Sequence, residues 1–246
     1  MLSPEPIDSS QYSRIVLLTG AGVSAASGLP TFRGPYGLLQ DDVKWVSDAE
    51  NLPACLPGLW QLYGGLRQQA LQAQPNLAHT AIATWQQQWG DRCSITLVTQ
   101  NVDGLHQRAG SQNVIELHGS VLRSRCTNPG CSSRPFEDRQ VPQAEVPCCP
   151  ICQAALRPDI VLFNEPLPVE GQWQVKRSLR DCDLFIAIGT SGTVSPAANF
   201  VRSAEYAGAR TILLNLTPMQ PPNPYFKEEY IGRAEELLPI LLGCQG

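Results

Sequence analysis

Four cysteines are spaced like the ligands of a metal ion. Cys126 and Cys131 are separated by four residues and Cys149 and Cys152 by two, and both pairs lie in one short segment. A thiolate is a good zinc ligand, and a C-x4-C pair with a C-x2-C pair can close a tetrahedron around one ion. Asn128, Pro129, Gly130 and Pro150 supply the turns that bring ligands back on themselves. The alternative is four unrelated buried thiols. Cys148 is a spare thiol beside the set, and Cys149-Pro150-Ile151-Cys152 suits a metal knuckle better. Four thiolates leave no coordination position open for an activated water, so this zinc is expected to be structural.

A different chemistry is written elsewhere. Thr19-Gly20-Ala21-Gly22-Val23-Ser24 follows an apolar run, and its small residues would let the backbone approach a phosphate while a following helix start offers free amides. A tight strand-to-helix turn without ligand fits the same residues. Thr99-Gln100-Asn101-Val102-Asp103-Gly104-Leu105-His106 gathers amide, carboxylate and imidazole after a second apolar run, although Asn and Asp also shape turns. Glu116-Leu117-His118-Gly119-Ser120 puts another imidazole just before the cysteine segment, where it could accept a hydroxyl proton near neutral pH. Gly189-Thr190-Ser191-Gly192-Thr193 and Asn215-Leu216-Thr217 end two further runs with groups able to hold a phosphate or a ribose hydroxyl.

These motifs need a scaffold that brings their ends together. The apolar runs 15–19, 95–99, 184–188 and 211–216 read as parallel strands buried on both faces. Helical stretches, such as 78–89 and 196–207, lie between them, and 235–242 reads as a closing helix. Alternating strand and helix predict a doubly wound α/β sheet of Rossmann type, with ligands at the carboxyl ends of the strands. Residues 1–31, 77–120 and 158–246 are assigned to it. Residues 32–76, with a helix around 59–73, and 121–157 form a small lobe that the metal helps to hold together.

The 246 residues, with 43% hydrophobic and 16% charged, describe a globular chain able to bury a full core. A formal charge of -4 argues against a broad nucleic-acid footprint. Nine cysteines, an odd number, suit thiols in a reducing compartment better than a disulfide framework. No apolar run is long enough to span a membrane, and residues 1–13 have neither a basic start nor an apolar core, so a cytoplasmic location is expected.

Gly20-Ala21-Gly22-Val23-Ser24 with Gly28-Leu29-Pro30-Thr31-Phe32-Arg33, Thr99-Gln100-Asn101-Val102-Asp103, Leu117-His118-Gly119, the four cysteines and Gly189-Thr190-Ser191 occur in one order. Together they resemble the sirtuin family of NAD-dependent protein-lysine deacylases, from Gly20 to about Pro239. The resemblance implies a Rossmann domain, a small zinc-binding lobe, and NAD with an acylated lysine between them. In such chemistry the acyl oxygen attacks C1′ of the nicotinamide ribose; nicotinamide leaves, and the acyl group ends on ADP-ribose.

The resemblance assigns roles residue by residue. His118 would be the general base on the ribose hydroxyls, and Asn101 would orient the ribose and a nearby water. Asp103, beside Gln100 and Val102, would hold the nicotinamide carboxamide. Phe32 and Arg33 belong to a loop covering the reacting sugar. Gly20, Ala21 and Gly22 would receive the pyrophosphate; Gly189, Thr190, Ser191, Asn215 and Leu216 would take the adenosine side, with Ala234 near the adenine. The peptide would enter as a strand against Phe163-Asn164-Glu165 and the stretch reaching Val194, a β-augmentation. The family usually has Gly where this chain has Asn164, but Asn tolerates a left-handed backbone.

Members that remove succinyl or malonyl groups carry Tyr-x-x-Arg on the small-lobe helix. Here the sequence reads Tyr63-Gly64-Gly65-Leu66-Arg67, with Leu66 at the Arg position. Positions three and four apart share a helix face, so Arg67 is a candidate substitute; the alternative for it is a solvated charge. A pocket for short neutral acyl groups, lined by Tyr36 and Tyr63, is the preferred reading. Transfer of ADP-ribose to protein or water would share His118 and the glycosidic step. A nucleic-acid-binding zinc knuckle is disfavoured because Glu137, Asp138, Glu145 and Asp159 largely cancel Arg123, Arg125, Arg134, Arg139 and Arg157. A hydride-transfer dehydrogenase lacks its ribose-binding acid, since Asp41 and Asp42 follow no strand.

Overall fold

The computed structural model describes residues 4–32, 40–141, 146–192 and 195–244. In chain order the elements are β1 (Arg14–Thr19), α1 (Asp41–Val46), α2 (Leu56–Gln72), α3 (Leu77–Trp89), β2 (Ser94–Thr99), α4 (Leu105–Arg108) and β3 (Val114–Glu116). Then come β4 (Gly119–Cys126), β5 (Phe136–Glu137), β6 (Leu156–Ile160), α5 (Val169–Leu179), β7 (Leu184–Ile188), α6 (Phe200–Tyr206), β8 (Arg210–Asn215), β9 (Glu228–Ile231) and α7 (Ala234–Leu241).

Six strands form one parallel sheet in the order β3-β2-β1-β7-β8-β9. The four apolar runs are its centre. Each is buried on both faces because alternate side chains enter different cores. Ile15, Leu17, Leu184, Ile186, Ile212 and Leu214 meet Ile82 and Trp85 of α3 and Leu238 and Leu241 of α7. Val16, Leu18, Phe185, Ala187 and Leu213 meet Val175 and Leu179 of α5 and Phe200 and Val201 of α6. Each fully buried aliphatic or aromatic side chain contributes about 1.5–3 kcal/mol, so these two layers supply most of the cohesion. The chain leaves β1 toward β2 on one side and reaches β7 on the other, which opens a crevice at the strand ends between them.

The second sheet is antiparallel, in the order β5-β4-β6. Against it lies α2, whose buried residues Leu56, Leu59, Tyr63, Leu66 and Ala70 recur at alternating spacings of three and four, packing on Val121, Leu122, Ile160 and Leu162. Trp60 points from the same helix into a small cluster with Cys149 and Leu156, and its indole N–H donates to the Leu156 carbonyl at 2.8 Å. No helix among the described residues is long and apolar enough to cross a membrane.

Candidate active site

The turns after β1 and β7 are pressed together. Gly20 N–H donates to the Ile188 carbonyl at 3.0 Å and Gly22 N–H to the Gly189 carbonyl at 2.9 Å. A Cβ on Gly20 would lie 2.7 Å from the Gly189 oxygen, and one on Gly22 2.7 Å from the Gly189 Cα. Gly189 itself has φ 59°, the left-handed region. The expectation of a helix start with free amides at 20–22 is therefore corrected in part. Two short 3-10 turns, Ala21–Val23 and Ala25–Ser27, stand in place of an α-helix, and the Gly20 and Gly22 amides are already bonded to the neighbouring strand end.

This contact floors a cleft of about 1160 Å3, larger than the ~300–1,000 Å3 common for small-molecule sites. Around it lie Gly20, Ala21, Gly22, Phe32, Gln100, Asn101, Val102, Asp103, His118, Gly189, Thr190, Ser191, Asn215, Leu216 and Ala234. Two amides tie its far end, Gln100 Nε2 donating to Thr190 Oγ1 at 2.8 Å and Asn215 Nδ2 to the Thr190 carbonyl at 3.2 Å. Arg33, Tyr36 and Val194, expected at this cleft, fall outside the described residues.

A polar chain joins the expected site residues Asn101 and Asp103 to Ser24, and through it to His79, which the sequence reading gave no role. Asn101 Nδ2 donates to Ser24 Oγ at 3.1 Å and to the Gly20 carbonyl at 3.1 Å, and Ser24 Oγ donates to Asp103 Oδ2 at 2.7 Å. Asp103 Oδ1 accepts from Leu105 N–H at 2.9 Å. Burial nevertheless raises the Asp103 pKa above the usual carboxylate value. His79 Nδ1 accepts from Asn76 N–H at 3.2 Å, so Nε2 carries the proton offered to Ser24, 3.4 Å away. His106 Nε2 lies 2.9 Å from Thr19 Oγ1, and its Nδ1 is buried without a partner. Burial holds both imidazoles neutral, lowering His79 to about 4 and His106 to about 3. The hydroxyl of the Gly-Ala-Gly-Val-Ser motif was the available clue; His79 lies on the expected helix but carried no distinguishing spacing.

His118 stands where the two sheets meet. Its Nδ1 lies 3.0 Å from the Gln100 carbonyl, which can only accept, so Nδ1 is the protonated nitrogen and Nε2 is left basic. Burial lowers its pKa, with the Gln100 contact opposing. The imidazole is thus unprotonated at neutral pH.

The small-lobe wall carries Tyr63 and Leu66, both lining the cleft, with the Tyr63 hydroxyl 3.2 Å from Ser47 Oγ. Arg67 does not join them, and it is no solvated charge either. Its side chain is fully buried and donates to the carbonyls of Val121, Gln140 and Arg123 and to Ser124 Oγ, with Asp138 at 3.0 Å as its counter-ion. The reason is helical phase. One residue turns the side chain by about 100°, which leaves Leu66 on the cleft stripe and stacks Arg67 above Trp60, seven residues back; the guanidinium lies 5.0 Å from that ring.

Phe163, Asn164 and Glu165 line the cleft. Asn164 has φ 60°, so the left-handed turn survives the departure from Gly, and Nδ2 donates to Asp48 Oδ2 at 2.9 Å. The edge expected for an incoming strand is partly filled at Phe163: its amide donates to the Ser47 carbonyl at 2.8 Å and its carbonyl accepts from Ala49 N–H at 3.0 Å.

The Sγ atoms of Cys126, Cys131, Cys149 and Cys152 lie within 4.8 Å of one another, two pairs at 3.5 and 3.8 Å, while Cys148 is exposed and outside the set. Zinc–sulfur bonds of about 2.3 Å in a tetrahedron require sulfurs about that far apart, so the donor set fits one zinc ion. Amides of Cys152 and Ile151 pull the Cys149 thiol below its ordinary value, toward the thiolate that a metal needs.

With this geometry in view, comparison with known proteins is specific. The model of the Sir2 family matches residues 20–196. An NAD-dependent protein deacylase of Salmonella typhimurium is 43% identical over 230 residues, 92% of this chain and 81% of that protein. The NAD-dependent protein deacylase SIR2rp3 of Leishmania major is 41% identical over 233 residues, 92% of each. Among solved structures, a Sir2 homologue in complex with NAD superimposes with a TM-score of 0.86 at 33% identity, over 99% of this chain and 96% of that one. A Sir2 complex with a p53 peptide and NAD+ gives a TM-score of 0.77 at 31% identity, over 93% and 91%. A family model that matches most of the chain, and relatives above 40% identity along nearly all of it, show that the chain belongs to the Sir2 family.

Proposed function

We propose that this chain is an NAD-dependent protein-lysine deacylase whose acyl pocket takes short neutral groups. The observation that carries it is the His118 tautomer: Nδ1–H is engaged by the Gln100 carbonyl, which leaves the lone pair of Nε2 on the cleft side. NAD, as co-substrate, supplies an electrophilic ribose carbon and a leaving group. Nε2 of His118 takes a proton from a ribose hydroxyl, the role expected of a neutral imidazole. Asn101 is held between Ser24 and the Gly20 carbonyl and orients the sugar. Asp103, fixed by Ser24 and Leu105, receives the carboxamide. Gln100, Thr190 and Asn215 brace the end assigned to the adenosine. Acylated lysines of proteins are the second substrate, and Cys126, Cys131, Cys149 and Cys152 hold a structural zinc. Nine cysteines with no disulfide among them suit the reducing cytoplasm.

The acyl preference rests on charge. Among the described residues lining the cleft the only Lys or Arg is Arg233, which precedes α7 on the main-sheet side, and Arg67 is spent inside the small lobe. An acidic acyl group would bury its carboxylate beside Tyr63 and Leu66 without a cation, a penalty of several kcal/mol. Mass spectrometry of products from NAD with acetyl and succinyl versions of one lysine peptide tests both levels, with His118→Ala as control. Nicotinamide and O-acetyl-ADP-ribose should form, with succinyl the poorer substrate; faster succinyl release overturns the preference, and absence of both products overturns the deacylase reading.

A further inference from the structure

We infer that Arg157 is a positioning residue for the acyl-lysine substrate, a conclusion that rests on the deacylase reading. Arg157 lies in β6 opposite Arg125 of β4, next to the Leu156–Cys126 pair that leads into the thiolate cluster. Its side chain is 5% exposed, and Nη2 donates to Glu165 Oε1 at 2.5 Å. The other oxygen of that carboxylate accepts the Leu162 amide at 3.0 Å, and the Leu162 carbonyl accepts the Glu165 amide at 3.2 Å. Glu165 therefore closes the turn from inside, and Arg157 fixes the carboxylate that does so.

That turn is held from two sides. Its apex is Asn164 at φ 60°, a conformation that costs an L side chain energy unless surrounding bonds impose it. On the opposite side Phe163 and Asn164 are tied to the Ser47–Ala49 stretch. The segment that faces the cleft is thus gripped by both small-lobe modules, with Arg157 as the grip from the zinc side; Arg125, 3.8 Å from the same oxygen and 43% exposed, is a weak second. Arg157 is a poor choice as mere filling, since its Nη1 is buried with no partner. An apolar residue of similar volume would pack without that penalty, so what the guanidinium supplies is the geometry of the turn.

The test is equilibrium binding of a fluorescent acetyl-lysine peptide to the zinc-loaded full chain, alongside steady-state kinetics. Arg157→Met should weaken peptide binding and raise the peptide KM by about tenfold or more, with the KM for NAD changed less than about twofold and zinc still at one per chain. Arg157→Lys should recover part of the loss. If Arg157→Met does not fold, Glu165→Gln, which keeps the Leu162 contact, should shift peptide binding in the same direction by about threefold. Peptide affinity unchanged in the folded, zinc-loaded variants overturns the inference, as does a parallel rise in both KM values. Failure of the unaltered protein to bind the peptide defeats the deacylase reading itself.

Discussion

The two walls of the cleft are built by opposite means. The main-sheet wall places its groups at the ends of strands that pair over five or six residues and are sealed on both faces, so Gly20, Asn101 and Gly189 are positioned by backbone. The small-lobe wall has a three-stranded sheet and the helices α1 and α2, and its residues are positioned by side chains: four thiols, Arg67 on five acceptor groups, and Arg157 on Glu165. The difference teaches that chemistry and substrate shape are separable here. One wall resists change as part of a large core, while the other depends on a metal and a few buried charges.

Removing a metal ligand attacks the second wall alone and should have the largest effect, because structural zinc contributes roughly 10–16 kcal/mol to small sites. In Cys152→Ala, zinc content should fall to none and acetyl-peptide binding should vanish, while amide exchange in β1, β2 and β7 stays slow. Loss of protection in β1 would break the contrast. His118→Ala attacks the first wall and should lower turnover about 100- to 10,000-fold with peptide affinity retained; a matching loss of affinity would count against separability.

Arg67→Met should cost about 3–5 kcal/mol in urea unfolding, since the half-buried Asp138 loses its cation and the carbonyls of Val121, Arg123 and Gln140 lose their donor, yet the acetyl-to-succinyl rate ratio should not move. Leu66→Arg should do the reverse, moving the ratio toward succinyl by about tenfold with a modest change in stability. Near neutral pH the smallest effect is that of pH itself. His79 and His106 sit at about 4 and about 3 when folded, below the ordinary 6.5, so below pH 6.5 the unfolded chain binds more protons. Stability is then lost progressively as pH falls from 6.5 toward 3, and unfolding midpoints should decline over that window. His79→Asn should flatten the decline; an unchanged slope would remove the buried imidazoles from the account.

What was readable in the sequence divides along the same line. The four central strands announced themselves because both faces are apolar, and the thiolate set because its spacing is local. The edge strands β3 and β9 did not, being three and four residues long and, in β9, carrying Glu228 and Glu229. Helix α5 was missed as well: Val169 and Trp173 stay exposed and only Val175 and Leu179 are fully buried, which blurs its periodicity. The fate of Arg67 was unreadable for a different reason. Its partners lie 54 to 73 residues away, and no local pattern distinguishes an arginine that bonds across a lobe from one in water. The stretch after β1 was expected to start a helix because small residues there suit a phosphate cradle; the same small residues also permit the close passage of Gly189, which two 3-10 turns accommodate.

That passage leaves room for less than one methyl group. Alanine at Gly22 would delete no hydrogen bond donor, charge or ligand, yet its Cβ would fall 2.7 Å from a backbone atom of the opposite turn, which has no side chain to swing away. The two lips of the crevice would have to part, and everything mounted on them would shift by a fraction of an ångström relative to everything else. An enzyme so altered would keep its full inventory of reactive groups and lose their alignment, so the glycines act as the gauge that sets the spacing of the machine.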